Sequence, residues 1–266
     1  MTDQAEEAVE RVIKTIRSNL GEPLTIDDMA KAALFSKFHF SRLFQRVTGI
    51  SPGRFLSAVR LAEAKKLLVN SSMNVAEISL RVGYTSVGTF STRFTRSVGL
   101  SPTSFRRLGG HVTHIPQQPP ASAGGNLRGR VTHRDGHAAG TVFLGLFPNR
   151  IPEGRPVRCT ILDGPRNFRL DHVPEGTWHL LAQSVAVSPE EAVTGVFDGE
   201  GQLCVGSYGP VTVRRGEVVR ANLRLHPVRS LDPPVLLALL DVRRTALDVV
   251  RAGQLAALGA DHERAA

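Results

Sequence analysis

Several kinds of residue are scarce in this chain, and each scarcity narrows the class of protein. The 266 residues include only one Trp, two Tyr and two Cys. Cys159 and Cys204 lie far apart without a C-x-x-C motif, which favours a reduced pair, with one disulfide as the alternative. No apolar run reaches the length of about eighteen residues that a membrane-spanning helix needs. The acidic, amphipathic first residues differ from a signal peptide, so we expect a cytoplasmic protein that inserts in no membrane.

The chain also has little that is typical of an enzyme. It contains no nucleophile–base arrangement, no phosphate-binding loop and no G-x-G-x-x-G motif. Two histidine pairs, His111 with His114 and His133 with His137, have ligand-like spacing. Neither pair has the neighbouring cysteines or carboxylates that would complete a zinc site of about four ligands. We therefore predict no catalytic residue, no metal site and no cofactor.

Positive charge is plentiful and unevenly distributed. The formal net charge is +9 and the pI is about 10.5. Between Arg42 and Arg107 there are eleven Lys and Arg residues, opposed only by Glu63 and Glu77. This basic balance favours a polyanionic partner but does not by itself distinguish DNA from RNA or an anionic membrane. A merely solvated basic surface is the alternative.

A segment that occurs twice coincides with this basic region. Phe40–Ser41–x–x–Phe44–x–Arg46–x–x–Gly49–x–Ser51–Pro52–x–x–Phe55 returns fifty positions later, from Phe90 to Phe105. Such a period indicates a duplicated supersecondary unit. Helix starts and stops follow the same order in both copies, and each copy is typical of a helix-turn-helix. The chain is therefore expected to bind two neighbouring segments of the DNA major groove.

In each unit the second helix is expected to read the DNA, with its first turns facing the base edges. For the first copy we predict a helix from Lys37 to Thr48. Arg42 is the best candidate for a bidentate contact to guanine. Ser41 can reach a base or a phosphate, and Phe38 contacts a thymine methyl or belongs to the core. The predicted DNA-binding residues of this unit are Ser36, Lys37, Phe38, His39, Ser41, Arg42, Gln45 and Arg46.

The second copy offers fewer hydrogen bonds to bases. Its outward positions in the first turns are mainly small or apolar, so we predict weak base reading and anchoring to phosphates through Arg93 and Arg96. For any one of these arginines, a solvated surface position is the alternative. The predicted DNA-binding residues of this unit are Ser86, Val87, Gly88, Thr89, Thr92, Arg93 and Arg96.

These two segments resemble the DNA-binding domain of the AraC/XylS family of transcription regulators. The resemblance covers about Glu22 to Arg107, through LTIDDMAKAALFSKFHFSRLFQRVTGISPGRFL and MNVAEISLRVGYTSVGTFSTRFTRSVGLSPTSFR, joined by RLAEAKKLL. It implies seven helices, with two helix-turn-helix units joined by one long helix and both reading helices on one DNA face. It implies double-stranded DNA and RNA polymerase as partners. By the family pattern the groove-reading positions are Phe38, Ser41 and Arg42, then Val87, Gly88, Thr89 and Thr92.

The sequence departs from the family pattern in its second reading helix and in its order of domains. Thr92 stands where the family often has an arginine in the second reading helix, and Arg93 is displaced to the next position. Val87 and Gly88 replace polar readers. The order of domains also differs, because the family usually carries this domain behind a sensor domain, whereas here a β-rich region follows it.

Composition changes after Gly110. A Pro-, Gly- and Ser-rich stretch, 111–125, is predicted to be a linker, with an ordered loop as the alternative. Short strands separated by turns, among them Gln202–Val205, Val211–Val213 and Val218–Leu225, then predict an all-β Ig-like sandwich over 126–227. In the last of these strands Leu223 and Leu225 alternate with polar residues, which predicts one buried face. Pieces such as LRGRVTHRDGHAAGTVFLGLF resemble, loosely, carboxypeptidase regulatory-like or transthyretin-like domains. A helix from Leu236 to Leu258 and a tail are predicted within 228–266. The fold class is therefore multidomain α + β, with the double helix-turn-helix domain over 1–110.

Three functions fit these observations. The first is a sequence-specific transcription regulator, in which the C-terminal region supplies homodimerisation, effector binding or contact with another protein. The second is a non-specific architectural DNA-binding protein, which differs in its ratio of specific to non-specific affinity. The third is an enzyme that carries a helix-turn-helix, against which the missing catalytic cluster argues.

Overall fold

The N-terminal half of the chain is helical. The computed structural model describes residues 2–112, 124–133, 141–185, 203–237 and 239–240. Its helices are α1 (Thr2–Ser18), α2 (Ile26–Ala32), α3 (Lys37–Thr48), α4 (Pro52–Asn70), α5 (Val75–Arg81), α6 (Val87–Val98) and α7 (Pro102–Arg107). The described residues thus contain the expected seven helices. The helix predicted over Lys37 to Thr48 is confirmed, and the long helix α4 joins the two units.

The duplicated sequence produces a duplicated core. In the first unit Phe40, Phe44 and Phe55 pack edge to face, with ring centroids 5.5 Å and 5.4 Å apart. In the second unit Phe90, Phe94 and Phe105 repeat the stack at 5.6 Å for both steps. Five of these six rings are wholly buried, and Phe105 is nearly so. Because the aromatic positions recur at the same spacing, each unit builds the same local core around its reading helix.

Local hydrogen bonds set the ends of the helices. Thr25 and Asn74 each form a capping box, with Asp28 and Glu77, at the first helix of their unit. The reading helices α3 and α6 both end at a left-handed glycine, Gly49 with φ +80° and Gly99 with φ +90°. Glycine is favoured there because a side chain would crowd the backbone. The two units are thus terminated in the same way.

The turns of the two units differ at one residue. Gly83 follows α5 with φ +83°, whereas Leu34 follows α2 with φ +61° and is 85% exposed. A left-handed leucine is unusual and costs about 1–2 kcal/mol relative to a right-handed conformation. The first turn therefore carries a strain that the second avoids.

The C-terminal half forms one curled sheet. Its strands are β2 (Gly125–His133), β3 (Val142–Phe147), β4 (Arg158–Leu162), β5 (Asn167–Val173), β6 (Gly176–Val185), β7 (Leu203–Val213), β8 (Val218–Arg220) and β9 (Leu223–Pro227). The hydrogen-bonded order is β4-β3-β6-β7-β9-β2-β5, with β8 also paired to β2. The end strands β4 and β5 lie next to each other. The domain is therefore β-rich as predicted, but it is a nearly closed sheet where two packed sheets were expected.

Two strand predictions are corrected by pairing. The sequence predicted separate strands at Gln202–Val205 and Val211–Val213, but residues 203–205 and 211–213 lie in one strand, β7, because β6 pairs with it along its length. The single strand predicted over Val218–Leu225 is divided into β8 and β9, which pair with different parts of β2. At the break, Asn222 Oδ1 accepts a hydrogen bond from the Arg130 N–H at 3.0 Å. A side chain thus replaces a ladder bond there.

The C-terminal segment also differs from its prediction. Leu236 and Leu237 are in irregular structure, and Leu239–Leu240 forms strand β10, which pairs in parallel with β1 (His111–Val112). The start of the helix predicted from Leu236 is therefore wrong. The local apolar pattern could not show that Leu239–Leu240 would pair with His111–Val112, at the start of the predicted linker. Residues 241–266 lie outside the described part of the chain.

Strand β3 is buried on both faces. Val142, Leu144 and Leu146 point into the core of the β-domain, together with Leu180 of β6. Phe143 and Phe147 point the other way and pack with Leu181 of β6 and Leu237 of the C-terminal segment. Because the outer face of this sheet is apolar, it has to be covered, and the C-terminal segment lies against it.

The β-domain is also joined to the helices. Ile151 of the β-domain, together with Leu231 and Leu236 of the C-terminal segment, is buried in the helical core. The first part of the loop between β3 and β4, residues 148–154, is called the bridging loop below. It lies against the C-terminal ends of both reading helices, so the β-domain supports them from behind.

Candidate nucleic-acid interface

The front of α3 is open. Phe38 is 84% exposed, so the core alternative for this residue is wrong. Ser36, Arg42, Gln45 and Arg46 are exposed, and Ser41 is half-buried. The side chains of Arg42, Gln45 and Arg46 have no hydrogen bond or ion pair to any described residue. Helix α3 thus presents two free guanidinium groups and a large apolar ring, the groups that contact guanine and the thymine methyl.

Two predicted residues of α3 have partners within the chain. Lys37 Nζ lies 3.0 Å from Asp27 Oδ2 in an exposed ion pair between α3 and α2. The His39 ring stacks edge to face on Phe35, with centroids 4.8 Å apart. An exposed pair of this kind contributes little stability, so Lys37 remains able to exchange Asp27 for a phosphate.

The front of α6 is open but less polar. Val87 is 40% exposed, and Gly88, Thr89 and Thr92 are exposed. Ser86 caps the helix by accepting a hydrogen bond from the Thr89 N–H at 3.3 Å. Arg93 is half-buried and Arg96 exposed, and neither guanidinium bonds to another described residue. This surface supplies methyl groups, hydroxyls and two cations, in agreement with the uneven division of polar groups seen in the sequence.

Four cations counted in the basic region serve the fold instead. Arg106 donates from Nε to the Leu68 carbonyl at 2.9 Å, and Arg60 Nη2 donates to the Glu22 carbonyl at 2.7 Å. Burial lowers the pKa of Arg60. Lys65 and Arg54 bind groups of the C-terminal half. The side chains of six others have no hydrogen bond or ion pair to a described residue and can meet a polyanion: Arg42, Arg46, Arg81, Arg93, Arg96 and Arg107.

The bridging loop ties the two units together through one carboxylate. Glu153 Oε1 lies 2.8 Å from Arg54 Nη2, at the start of α4, and Oε2 accepts a hydrogen bond from Ser97 Oγ of α6 at 3.0 Å. Asn149 Oδ1 accepts a second bond from Arg54 at 2.9 Å. The Gly154 N–H donates to the Ser97 carbonyl at 2.7 Å. By its sequence Arg54 belongs only to the basic region, and no local signal indicates a partner in another domain.

Helix α4 is also joined to the C-terminal segment. Lys65 Nζ donates to the carbonyls of Val235 at 3.1 Å and Leu237 at 2.8 Å, and it lies 5.8 Å from the centre of the Phe105 ring. Burial lowers the pKa of Lys65 to about 7. The amine therefore links the helix between the reading units to a segment that covers the β-sheet.

The described residues show little sign of other chemistry. Neither Cys159 nor Cys204 forms a disulfide. Burial raises the pKa of Cys159 to about 11 and also raises that of Cys204, which leaves both protonated at neutral pH. In the described ranges, three or more His, Cys, Asp or Glu residues never come together as a metal site would require. His114 and His137 lie outside these ranges. None of the described helices has the length and apolarity needed to span a bilayer.

Comparison with known proteins matches the helical half. The family model described as a helix-turn-helix domain matches residues 29–108. The probable transcription factor PqrA of Proteus vulgaris is 32% identical over 107 residues, which are 40% of this chain and 88% of that protein. The transcriptional activator AarP of Providencia stuartii is 30% identical, over 37% of this chain and 73% of its own length.

Longer relatives match over the same region only. The lactose operon transcription activator of Staphylococcus xylosus is 30% identical, over 39% of this chain and 37% of its own length. Among solved structures, the DNA-binding domain of the global transcriptional factor AdpA, in complex with a target DNA, is 29% identical. It covers 38% of this chain and 90% of that one, with a TM-score of 0.37.

Fold and surface together define a tandem helix-turn-helix protein with two open reading helices. The repeated aromatic cores, the shared caps and the long joining helix α4 all fall within the region that the relatives match. The chain belongs to the AraC/XylS family of helix-turn-helix transcription regulators.

Proposed function

We propose that the chain is a sequence-specific DNA-binding transcription regulator that places α3 and α6 in successive segments of the major groove. The observation that carries this proposal is the pair of open reading helices, built on repeated cores and joined by α4. Arg42 would bind guanine in a bidentate contact, Phe38 would contact a thymine methyl, and Ser41 would bond to a base or a phosphate. The N-terminal turns of both helices are free to enter DNA, because the β-domain contacts their C-terminal ends.

The second helix is assigned mainly to the DNA backbone. Arg93 and Arg96 would contact phosphates, and Thr89 and Thr92 would read bases weakly. Phosphate contacts position a protein and base contacts specify its site. The expected operator therefore has one sharply defined half and one tolerant half.

Further parts of the proposal concern partners. Activation through contact with RNA polymerase is proposed from the names of relatives described as transcription activators, and cytoplasm is the location that access to DNA favours. A homodimer through the C-terminal region and an unidentified effector remain proposals. Leu236 and Leu237 are already buried within the chain, so a dimer contact would need other residues. A carboxypeptidase regulatory-like identity for the β-domain rests on the sequence resemblance alone.

Selection of bound sequences from a random DNA pool tests the proposal. The full chain should enrich one motif, and fluorescence anisotropy should show an affinity for that motif about 10³-fold or more above that for scrambled DNA. Enrichment of no motif, with equal affinity for all duplexes, would favour the architectural alternative. A strong salt dependence is expected in either case and does not separate them.

A further inference from the structure

A cavity of about 90 Å³ lies between the two domains, behind the C-terminal end of α3. It is lined by Val47 and Thr48 of α3, Arg150 of the bridging loop, Gln183 of β6 and Asp232 of the C-terminal segment. A single water molecule needs only about 10–15 Å³, so this space accepts an organic molecule. The cavity is the place where the helical domain, the sheet and the C-terminal segment meet.

One polar group in this cavity has no partner. Gln183 is only 6% exposed, and its Oε1 has no hydrogen bond within the described part of the chain. Leaving a buried acceptor unpaired costs about 1–3 kcal/mol. Gln183 stands opposite Phe143 on the neighbouring strand, on the outer face of the sheet that also carries Leu181. The acceptor thus sits beside apolar side chains and requires a hydrogen-bond donor.

The charge in the cavity is unbalanced toward positive. Asp232 is neutralised by Arg229, whose Nη2 lies 3.0 Å from Oδ1 and whose Nε lies 3.3 Å from Oδ2. His226 Nδ1 also lies near this carboxylate, 3.7 Å from Asp232 Oδ2. The guanidinium of Arg150 has no carboxylate partner among the described residues, and its Nη2 donates a long hydrogen bond to Ser207 Oγ at 3.5 Å. Arg150 is therefore available to an anion.

We propose that this cavity binds a small aliphatic hydroxy acid. The carboxylate lies on the Arg150 guanidinium, because a planar cation with several donors matches a planar anion. The hydroxyl donates to Gln183 Oε1, and the carbon skeleton packs on Phe143 and Leu181. An acid without a hydroxyl leaves Gln183 unpaired, and a neutral amide of the same shape leaves Arg150 without its counter-charge.

Such a ligand is coupled to α3. The Arg150 guanidinium packs against Gly49, the residue that ends α3, at a place where an added Cβ would meet its Cζ at 2.6 Å. The same loop binds both units through Glu153. A ligand on Arg150 therefore strengthens the docked arrangement that holds the two reading helices, and it should raise DNA affinity. This coupling rests on the proposed function, whereas binding of the acid does not.

The test uses the full chain and three related probes: 2-hydroxyisovalerate, isovalerate and 2-hydroxyisovaleramide. NMR titrations that follow the backbone amide of Gly49 and the side-chain amide of Gln183 report occupancy of the cavity. We expect saturable shifts with the hydroxy acid, and binding weaker by about tenfold for each of the other probes, as loss of one charged or buried hydrogen bond predicts.

Three variants sharpen the result. Arg150→Gln should weaken binding of the hydroxy acid by about tenfold, so that the acid no longer binds more tightly than the amide. Gln183→Leu should abolish the advantage over isovalerate while raising the melting temperature of the free protein, since it removes an unpaired acceptor. Arg155→Gln changes an exposed arginine just beyond the bridging loop and should alter neither preference.

The outcomes separate the two proposals. No saturable shift with any acid, or equal binding of all three probes, would overturn the assignment and leave water as the occupant of the cavity. Binding of the acid by a chain without affinity for any duplex would overturn the proposed function instead. Where both are bound, saturating hydroxy acid should tighten the selected DNA for the wild type and not for Arg150→Gln, as reciprocal coupling requires.

Discussion

At the scale of single residues, the two reading helices differ in what their cations can do. Arg42 lies within the first two turns of α3, whereas Arg96 lies in the last turn of α6. Both are exposed and unpaired within the described residues. Position along the helix decides between them, because the N-terminal turns face base edges and later turns approach the backbone.

Substitution of these arginines should have different consequences. Arg42→Ala is expected to cost about 1–3 kcal/mol and to relax preference at one base pair. Arg96→Ala should weaken binding to all sequences alike. It should also reduce the slope of log affinity against log salt concentration by about one unit. Thr92→Ala should matter less than Arg42→Ala. Binding isotherms on the selected site and on its single-mismatch variants measure these changes in affinity. A more sharply defined second half-site would contradict the weak base reading predicted from Val87 and Gly88.

Two glycines at equivalent positions provide a matched pair. Gly49 and Gly99 both end a reading helix in the left-handed conformation, but only Gly49 has the Arg150 guanidinium packed against it, and an added Cβ at Gly99 meets nothing. Alanine at either position is destabilised by about 1–2 kcal/mol of backbone strain, because a residue with a Cβ disfavours the left-handed conformation. Gly49→Ala should lower the melting temperature further than Gly99→Ala by displacing Arg150. Equal losses in thermal unfolding would mean that the bridging loop adapts without cost.

At the scale of elements, α4 is both the joint between the units and the anchor of the C-terminal segment. The amine of Lys65 is held under carbonyls rather than carboxylates. Burial therefore opposes its charge without a compensating anion, and its pKa falls from the usual 10.5 to about 7. An element that seems from sequence to be a basic helix is in part a buried junction.

This lowered pKa predicts a pH dependence of stability. Between about pH 7 and about pH 10.5 the unfolded chain binds the proton that the folded amine has lost, so the free energy of unfolding should rise with pH, by at most about 1.4 kcal/mol per unit. Below pH 7 both states are protonated, and this contribution should be flat. Urea unfolding across the range measures the slope. Lys65→Met and Lys65→Arg should both lose this slope. A slope that is unchanged in either variant would mean that another group causes it.

At the scale of the whole molecule, the two domains share a core. Glu153 joins both helix-turn-helix units, and Ile151, Leu231 and Leu236 complete the packing of the helices. The helices nevertheless contain most of their own buried residues. The β-domain is therefore expected to support the DNA-binding half rather than to be required for its folding.

A fragment of residues 1–110 tests this view. It should fold as a helical unit and bind DNA, but its free energy of unfolding should be about 3–8 kcal/mol below that of the same helices in the full chain, since it loses three buried aliphatic side chains. Hydrogen exchange of the Phe44 and Phe94 amides compares the two. A folded fragment with no DNA affinity at low salt would contradict the prediction, as would equal protection in both chains.

The features that the sequence determined are those with a local cause. Helix ends at Thr25, Asn74, Gly49 and Gly99 follow from caps within one turn, and the aromatic cores follow from the fifty-residue repeat. The alternation around Leu223 and Leu225 likewise predicted a buried face in the sheet, and both residues are buried. Patterns of this kind depend on neighbours in sequence, so one chain is enough to recognise them.

The tertiary structure alone decided which cations remain for DNA and what holds the reading helices together. Arg54 finds Asn149 at a separation of 95 residues, and Lys65 finds Val235 at 170. The break between β8 and β9 and the pairing of Leu239–Leu240 with β1 likewise depend on distant partners. A charged side chain has the same sequence signature whether it meets a phosphate, a carboxylate or a carbonyl. Its role is settled by which segment the fold brings within hydrogen-bond distance, and that is a property of the whole chain.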